Sequence, residues 1–359
     1  MQLIMRLIKY WFPVLALVVP LLLLVGTAEG LGSLAIERAV TEALIYVIIV
    51  VGLYVFIGNS GIISLGHVAF IGVAAYATAW QTCCAMLKPI TMSGLPAFLR
   101  EETYSVGLSA VTSMGLAGLV ALVSGLILMR LSGIAASIAT LSALFIFNVV
   151  YSNWDTVTMG TASVVGLPGY VTPWIALFGA VIAIVIAYVF QRSPRGLMLR
   201  ASREDEVAAR SVGGSLYWNR LLAFVISGVV AGLGGVLHAH YLGTVSVDTF
   251  FLKMTFLTLA MLVVGGTGSL AGAVIGVLVV HTTVDVFRRI EAGIPVGSVE
   301  LSLPAGSQEL ILAAVMLLIL VFRKEGLMGG KEVEMPERGG KEDEIPERGG
   351  EIGRIKDAG

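Results

Sequence analysis

Few side chains in this 359-residue chain have the types and spacing that chemistry requires. Its four histidines, His67, His238, His240 and His281, all lie in apolar surroundings, and none stands in an HExxH zinc pattern. Cys83 and Cys84 are adjacent in an apolar segment. That spacing forms neither a CxxC redox pair nor a metal site, and it reads as ordinary apolar packing. No Walker lysine motif and no nucleophile elbow occurs. No apolar stretch carries the ladder of Asp, Glu, Lys or Arg that a proton- or sodium-driven carrier uses. The chain therefore reads as no enzyme. It has no cofactor or metal site and no means of hydrolysing ATP by itself. The histidines read as packed or interfacial groups.

Two glycine-rich interruptions are better candidates. GNSGIISLGHVAFIG (Gly58–Gly72) and GGTGSLAGAVIG (Gly265–Gly276) each begin Gly-x-Ser/Thr-Gly or close to it, and each adjoins an apolar run. One lies early in the chain and one late. Transporters place broken helices at corresponding positions of two halves, beside the translocation path. Irregular backbone inside a membrane is tolerated only where it faces protein or water. The translocation-path candidates are Gly61, Ser64, Gly66, His67, Gly265, Gly266 and Gly268. Tight helix packing through small residues explains the same glycines equally well, and the two roles are compatible.

The remaining concentration of polar chemistry is the stretch Arg192–Arg220, RSPRGLMLRASREDEVAARSVGGSLYWNR. It holds six arginines, interrupted by Glu204, Asp205 and Glu206. Ser202 is placed to act as an N-cap, with Asp205 closing a capping-box-like pair. The three acids then fall in the first turn, where the helix dipole favours negative charge. Gly213 and Gly214 supply a stop. The expectation is one helix of roughly ten residues between two membrane spans. Such a helix is either plain surface or a docking element for another protein.

The elements that position these groups are membrane helices. The chain is 57 % apolar and 13 % charged, against roughly a quarter charged in soluble domains. The net charge of −1 hides segregated charges and gives nucleic acid no basic surface to meet. Residues 1–10 with Trp11–Ala28 fit a signal peptide or a span. The apolar run reaches span length and no A-x-A site follows, which favours a span at about 8–28. Further spans are expected at 39–58, 62–87, 106–129, 134–151, 173–190 and 220–243. A broken pair is expected over 254–284, and a last span at 307–322. The fold class is all-α: a polytopic membrane protein of about ten transmembrane helices. With the N-terminus inside, Arg6, Lys9, Arg130, the six-arginine loop, Arg323 and Lys324 lie on the inner side. Lys88, Arg100, Lys253, Arg288 and Arg289 lie outside, partly offset by acids. That agrees with the positive-inside rule and makes both termini cytoplasmic.

The domain expectation is a transmembrane unit over 1–325, with the loop 191–220 at its cytoplasmic face, followed by a tail over 326–359. The tail repeats KEVEMPERGG as KEDEIPERGG (331–350). It is too polar to bury a core and is expected to be disordered.

A polytopic protein without its own fuel, but with a capped helix facing the cytoplasm, is economically explained if a separate subunit drives it through that helix. At this point several motifs occur together. GNSGIISLGHVAFIGVAAY (58–76), RGLMLRASREDEVAARSVG (195–213), LLAFVISGVVAGLGGVLHAHY (221–241) and VGGTGSLAGAVIG (264–276) resemble the LivM-type permease subunits of branched-chain amino acid ABC importers, over roughly 35–325. The resemblance implies a plasma (inner) membrane location and an amino acid or similar small solute. It also implies two ATP-hydrolysing subunits, a second homologous permease subunit and an extracytoplasmic solute-binding protein as partners. The family's coupling loop falls on Arg203–Gly213, which implies ATPase-coupling roles for Arg203, Glu204, Asp205, Glu206, Ala208, Ala209 and Gly213. Val207 stands where the family pattern has an acid, and Glu206 lies one residue early. Lys324-Glu325-Gly326-Leu327 replaces a Pro-Arg-Gly-Leu ending. Relatives that carry urea or short amides leave the solute to be inferred.

Overall fold

The computed structural model describes residues 2–291 except 84, 85, 87, 212 and 213, and scattered residues from 294 to 332. Eleven helices order the described part. They are α1 (Gln2–Gly30), α2 (Leu34–Ser60), α3 (His67–Thr82), α4 (Val106–Leu128), α5 (Gly133–Ser152), α6 (Pro173–Arg192), α7 (Pro194–Glu204), α8 (Glu206–Ser211), α9 (Leu216–Leu242), α10 (Leu252–Gly265) and α11 (Leu270–Glu291). One-turn helices at Lys88–Thr91, Ala97–Arg100 and Asp155–Thr158 lie in the connections.

Seven of these helices are long and apolar enough to cross a membrane: α1 from Tyr10, α2, α4, α5, α6, α9 and α11. α10, with 14 residues, and α3, with 16, are shorter. About 20 residues span the hydrocarbon core, so each reaches only part of the way. The third span expected at 62–87 is thus narrower. The chain runs irregularly from Gly61 to Gly66 before α3 starts, and α3 ends at Thr82. The span expected at 307–322 lies largely outside the described residues.

α2 is the axis of the molecule. From Leu44 to Ser60 every residue is buried. A helix apolar all round is enclosed all round, and α2 packs against α9, α6 and α11. α4 and α5 are equally apolar in sequence yet mostly exposed, with Val111, Ile127, Ile134 and Ile146 facing outward. Water would forbid such a surface, but lipid does not distinguish it from a core.

Small residues set the packing distances. A Cβ on Gly52 would stand 2.9 Å from the backbone nitrogen of Ala231, so α2 and α9 touch backbone to backbone. A Cβ on Gly235 would collide with the carbonyl of Ile71, which holds α9 equally close to α3.

The connections gather at two ends. At one, Gly94 N–H donates to Thr156 O (2.9 Å), and Val164–Val165 pairs antiparallel with Thr244–Val245. Cys83 Sγ donates to Val165 O in the same place (3.4 Å), and Cys84 lies outside the described residues. At the other end lie both glycine interruptions, α7 and α8. Tyr217 OH at the start of α9 also reaches Leu126 O near the end of α4 there (2.9 Å).

Candidate functional site

The site is built where α2 ends. α2 closes on Gly61, whose φ of 71° takes the left-handed conformation that glycine adopts without strain. Gly58 lies one turn earlier. A Cβ there would meet the Tyr54 ring and stand 2.9 Å from the carbonyl oxygen of Thr267. The two glycine interruptions therefore touch, although about two hundred residues separate them.

The second interruption has matching construction. α10 closes on Gly266 (φ 114°), and α11 opens at Leu270. Ser269 is fully buried, and its Oγ accepts the Gly272 N–H (2.8 Å), which caps the new helix. A Cβ on Gly265 would strike the carbonyl of Gly272, and one on Gly276 would strike the carbonyl of Met261. Glycine is required there because α10 and α11 fold back on each other in contact. The first interruption joins a long helix to a short one, and the second joins a short helix to a long one.

The path candidates are mostly enclosed. Gly61 is exposed, Gly266 is buried, and Gly268 is half-buried. Gly66 precedes α3 and abuts the Thr140 carbonyl of α5, and Leu65 N–H donates to Thr140 Oγ1 (3.2 Å). Ser64 and His67 are buried and joined, with Oγ and Nδ1 2.6 Å apart. The His67 ring is ringed by Phe56, Phe70 and Phe224, at centroid distances of 5.1–5.7 Å. In this conformation Ser64 and His67 form a packed joint.

The charged segment differs from the single capped helix expected at Ser202. α7 starts nine residues earlier, because Ser193 caps it by accepting Gly196 N–H (3.1 Å) and Pro194 occupies the first helical position. Ser202 lies buried within α7, and its Oγ donates to Leu199 O. The helix breaks at Asp205. Its Oδ1 accepts the N–H groups of Val207 (2.8 Å) and Ala208 (3.0 Å), which caps a second short helix, α8. The three acids thus have three different positions. Glu204 ends α7, Asp205 is the joint, and Glu206 opens α8.

Glu206 bridges Arg210 (2.7 Å) and Arg220 (3.0 Å). Hydrogen bonds from Arg210 and then Arg220 hold its pKa below the usual carboxylate range. Ala209 packs inward, while Ala208 is exposed and Val207 is 79 % exposed. Gly213 lies outside the described residues. α8 therefore offers a small, partly apolar outer face.

Two arginines of α7 connect that surface to the first interruption. Arg203 Nη1 donates to Gly58 O (3.3 Å), and its Cγ lies where a Cβ on Gly61 would stand 2.9 Å away. Arg200 Nε donates to Asn59 Oδ1 (3.0 Å), while its Nη2 donates to Tyr54 OH (2.6 Å) and Gln191 Oε1 (3.0 Å). Sequence reading did not single out Tyr54, Asn59, Gln191 or Arg200 as partners. Asn59 within the glycine motif, and Gln191 closing an apolar run, are the signals that pointed there.

Comparison with known proteins bears on what this arrangement serves. Residues 35–320 match the family described as "Branched-chain amino acid transport system / permease component". The high-affinity branched-chain amino acid transport system permease proteins LivM of Salmonella typhimurium and Escherichia coli are each 27 % identical over 326 residues. The match covers 80 % of this chain and 68 % of theirs. The xylose/arabinose import permease protein XylH of Sulfolobus acidocaldarius is 23 % identical, over 71 % of this chain and 80 % of its own. No solved structure matches at a significant level. With helices fit to cross a membrane and a family match over most of its length, the chain belongs to the branched-chain amino acid transport system permease family, and is a multi-pass plasma (inner) membrane transport protein, not an enzyme.

Proposed function

We propose that this chain is the permease subunit of an ATP-driven importer for branched-chain or similar amino acids, moved by separate ATPase subunits that press on α7 and α8. The observation that carries the reading is the pair of bonds from α7 to the first interruption, Arg203 to Gly58 O and Arg200 to Asn59. A push on the exposed face of α8 reaches α7 directly, and α7 is tied to the end of α2. The first interruption abuts the second at Thr267. Displacement of α7 is thereby felt by both broken helices, the kind of element from which transporters build the site around which access alternates.

The reading assigns the ATPase-coupling role to the segment 203–213 and a path role to the backbone around Gly61–Gly66 and Gly265–Gly268. Ten crossings with both termini cytoplasmic fit it. The two short helices each begin or end at an interruption, and the interruptions share an end with α7. The permease unit would cover 1–325. A second, homologous permease, two ATPase subunits and an extracytoplasmic binding protein complete the assembly, and the binding protein selects the solute.

The test is a bulky substitution on the free face of α8. Ala208→Trp disturbs no packing inside the chain. Uptake should fall while membrane insertion stays normal and ATP hydrolysis becomes independent of solute. Uptake at the wild-type level would sink the coupling role. The XylH relative, matched over 80 % of its own length, favours a pentose as the second reading. Uptake of labelled leucine and labelled xylose by the same assembled complex separates the two.

A further inference from the structure

The family match ends at residue 320, yet the chain beyond it returns to the site. Leu327 N–H donates to Val264 O (2.9 Å), and Met328 N–H donates to Gly265 O (3.1 Å). The last carbonyls of a helix lack intrahelical donors, and here two at the end of α10 receive them from this segment. Gly326, at φ 79°, lets its backbone lie against Gly266. Glu332 goes further. Its Oε1 accepts the Leu270 N–H at the start of α11 (2.9 Å) and the Tyr54 hydroxyl (3.2 Å), and stands 3.7 Å from Arg200 Nη2. One carboxylate thus meets α2, α7 and α11 at once.

We propose that Gly326–Gly329, together with Glu332, is a latch that holds the coupling helix and both glycine interruptions in one arrangement, with Glu332 as its positioning residue, and that it must release during the transport cycle. Two features separate a latch from permanent packing. The Glu332 and Arg200 side chains remain 21 % and 31 % exposed, so water competes for the pair and its hold is modest. The groups it joins are those that the importer reading requires to move. A helix N-terminus favours a carboxylate, and Arg200 adds a charge. The contact is therefore specific as well as reversible.

The inference rests on the importer reading, and the experiment distinguishes the two. The complete assembly, with ATPases, partner permease and binding protein, is reconstituted with the wild-type chain, with Glu332→Gln, and with a chain stopped after Gly329. Glu332→Gln keeps an oxygen that accepts from Leu270 and Tyr54 but loses the charge facing Arg200. ATP hydrolysis without solute should rise about two- to fivefold, the scale of one lost part-exposed ion pair. Solute moved per ATP should fall, at unchanged amounts of assembled complex. Wild-type hydrolysis and ratio in both variants would overturn the latch and leave the importer reading standing. A fall in both activities in proportion to assembled complex would show packing alone, and would also overturn it. No ATP-driven uptake by the wild-type assembly would instead remove the importer reading, and the latch with it.

Discussion

Arg203 and Gly58 are 145 positions apart, and the guanidinium of one donates to the carbonyl of the other across 3.3 Å. The same side chain lies along Gly61, where any Cβ would crowd it. This contact joins a surface helix to the irregular backbone on which α2 ends. Arg203→Met keeps the aliphatic packing and deletes the donor. The expected outcome is near-normal stability, a loss of about 1 kcal/mol for one hydrogen bond at a part-exposed site, with weakened uptake per ATP. A thermal melt in detergent and a transport assay on one preparation check both halves. Loss of folding without any coupling defect would contradict the assignment.

The glycines at the second interruption are predicted to be intolerant for a local reason. Cβ atoms at Gly265 and Gly276 would run into backbone carbonyls of the facing helix, which no rotamer change relieves. Gly265→Ala and Gly276→Ala should each cost about 1–3 kcal/mol or more and reduce accumulation in the membrane. Gly107 and Gly115 on α4 have nothing near their would-be Cβ atoms. Gly107→Ala and Gly115→Ala should be neutral or stabilising by about 0.5–1 kcal/mol. Equal effects at both pairs, measured as melting temperature of the purified chain, would refute close packing as the reason.

Glu206 supports the loop before it touches any partner. It neutralises Arg220, which is 5 % exposed, and also pairs with Arg210. Its pKa is depressed, chiefly by hydrogen bonds from Arg210 and Arg220. The sign follows: the contribution to stability is complete above the ordinary glutamate value of about 4.3 and is lost as pH falls through the lower, folded value. Protease accessibility of 204–215 should stay flat from about pH 8 to 5 and rise only below about pH 4. In Glu206→Gln the loop should already be looser at neutral pH, with a flatter acid response. An uncoupled Glu206 variant would thus mix two causes, which makes Ala208 the cleaner probe.

Much of the fold was legible because lipid enforces simple rules. Uninterrupted apolar runs became α1, α2, α4, α5, α6 and α9 within a few residues of expectation, since a span can satisfy its backbone only as a helix. The polar joint was harder to read. Ser202 and Asp205 have the spacing of a capping pair, but Ser193-Pro194 offers an earlier start, and Asp205 bonds forward to Val207 and Ala208. Spacing alone does not decide between competing caps. That Gly58 abuts Thr267, and that Glu332 returns to Tyr54, were invisible for another reason. Both are contacts between distant segments, and no local pattern encodes them.

Lys88 illustrates the same limit at the opposite end and yields the last prediction. In sequence it is one charge in a connection. In the structure it is fully buried, and Nζ donates to Glu102 O (2.9 Å), Leu99 O (3.1 Å) and Gln81 O (3.5 Å). A buried ammonium is tolerated only where its donors are used, and here they gather the ends of the 88–105 connection around one point. Lys88→Met fills similar volume but withdraws the donors from three carbonyls. It should cost about 2–4 kcal/mol locally and open the connection to protease, while α3 and α4 remain inserted. Protease added to the outside of intact spheroplasts should then cut the variant between 88 and 105 and leave the wild type whole. Cutting only in inverted vesicles would reverse the proposed orientation. Equal resistance on both sides would show that this lysine does not organise the connection.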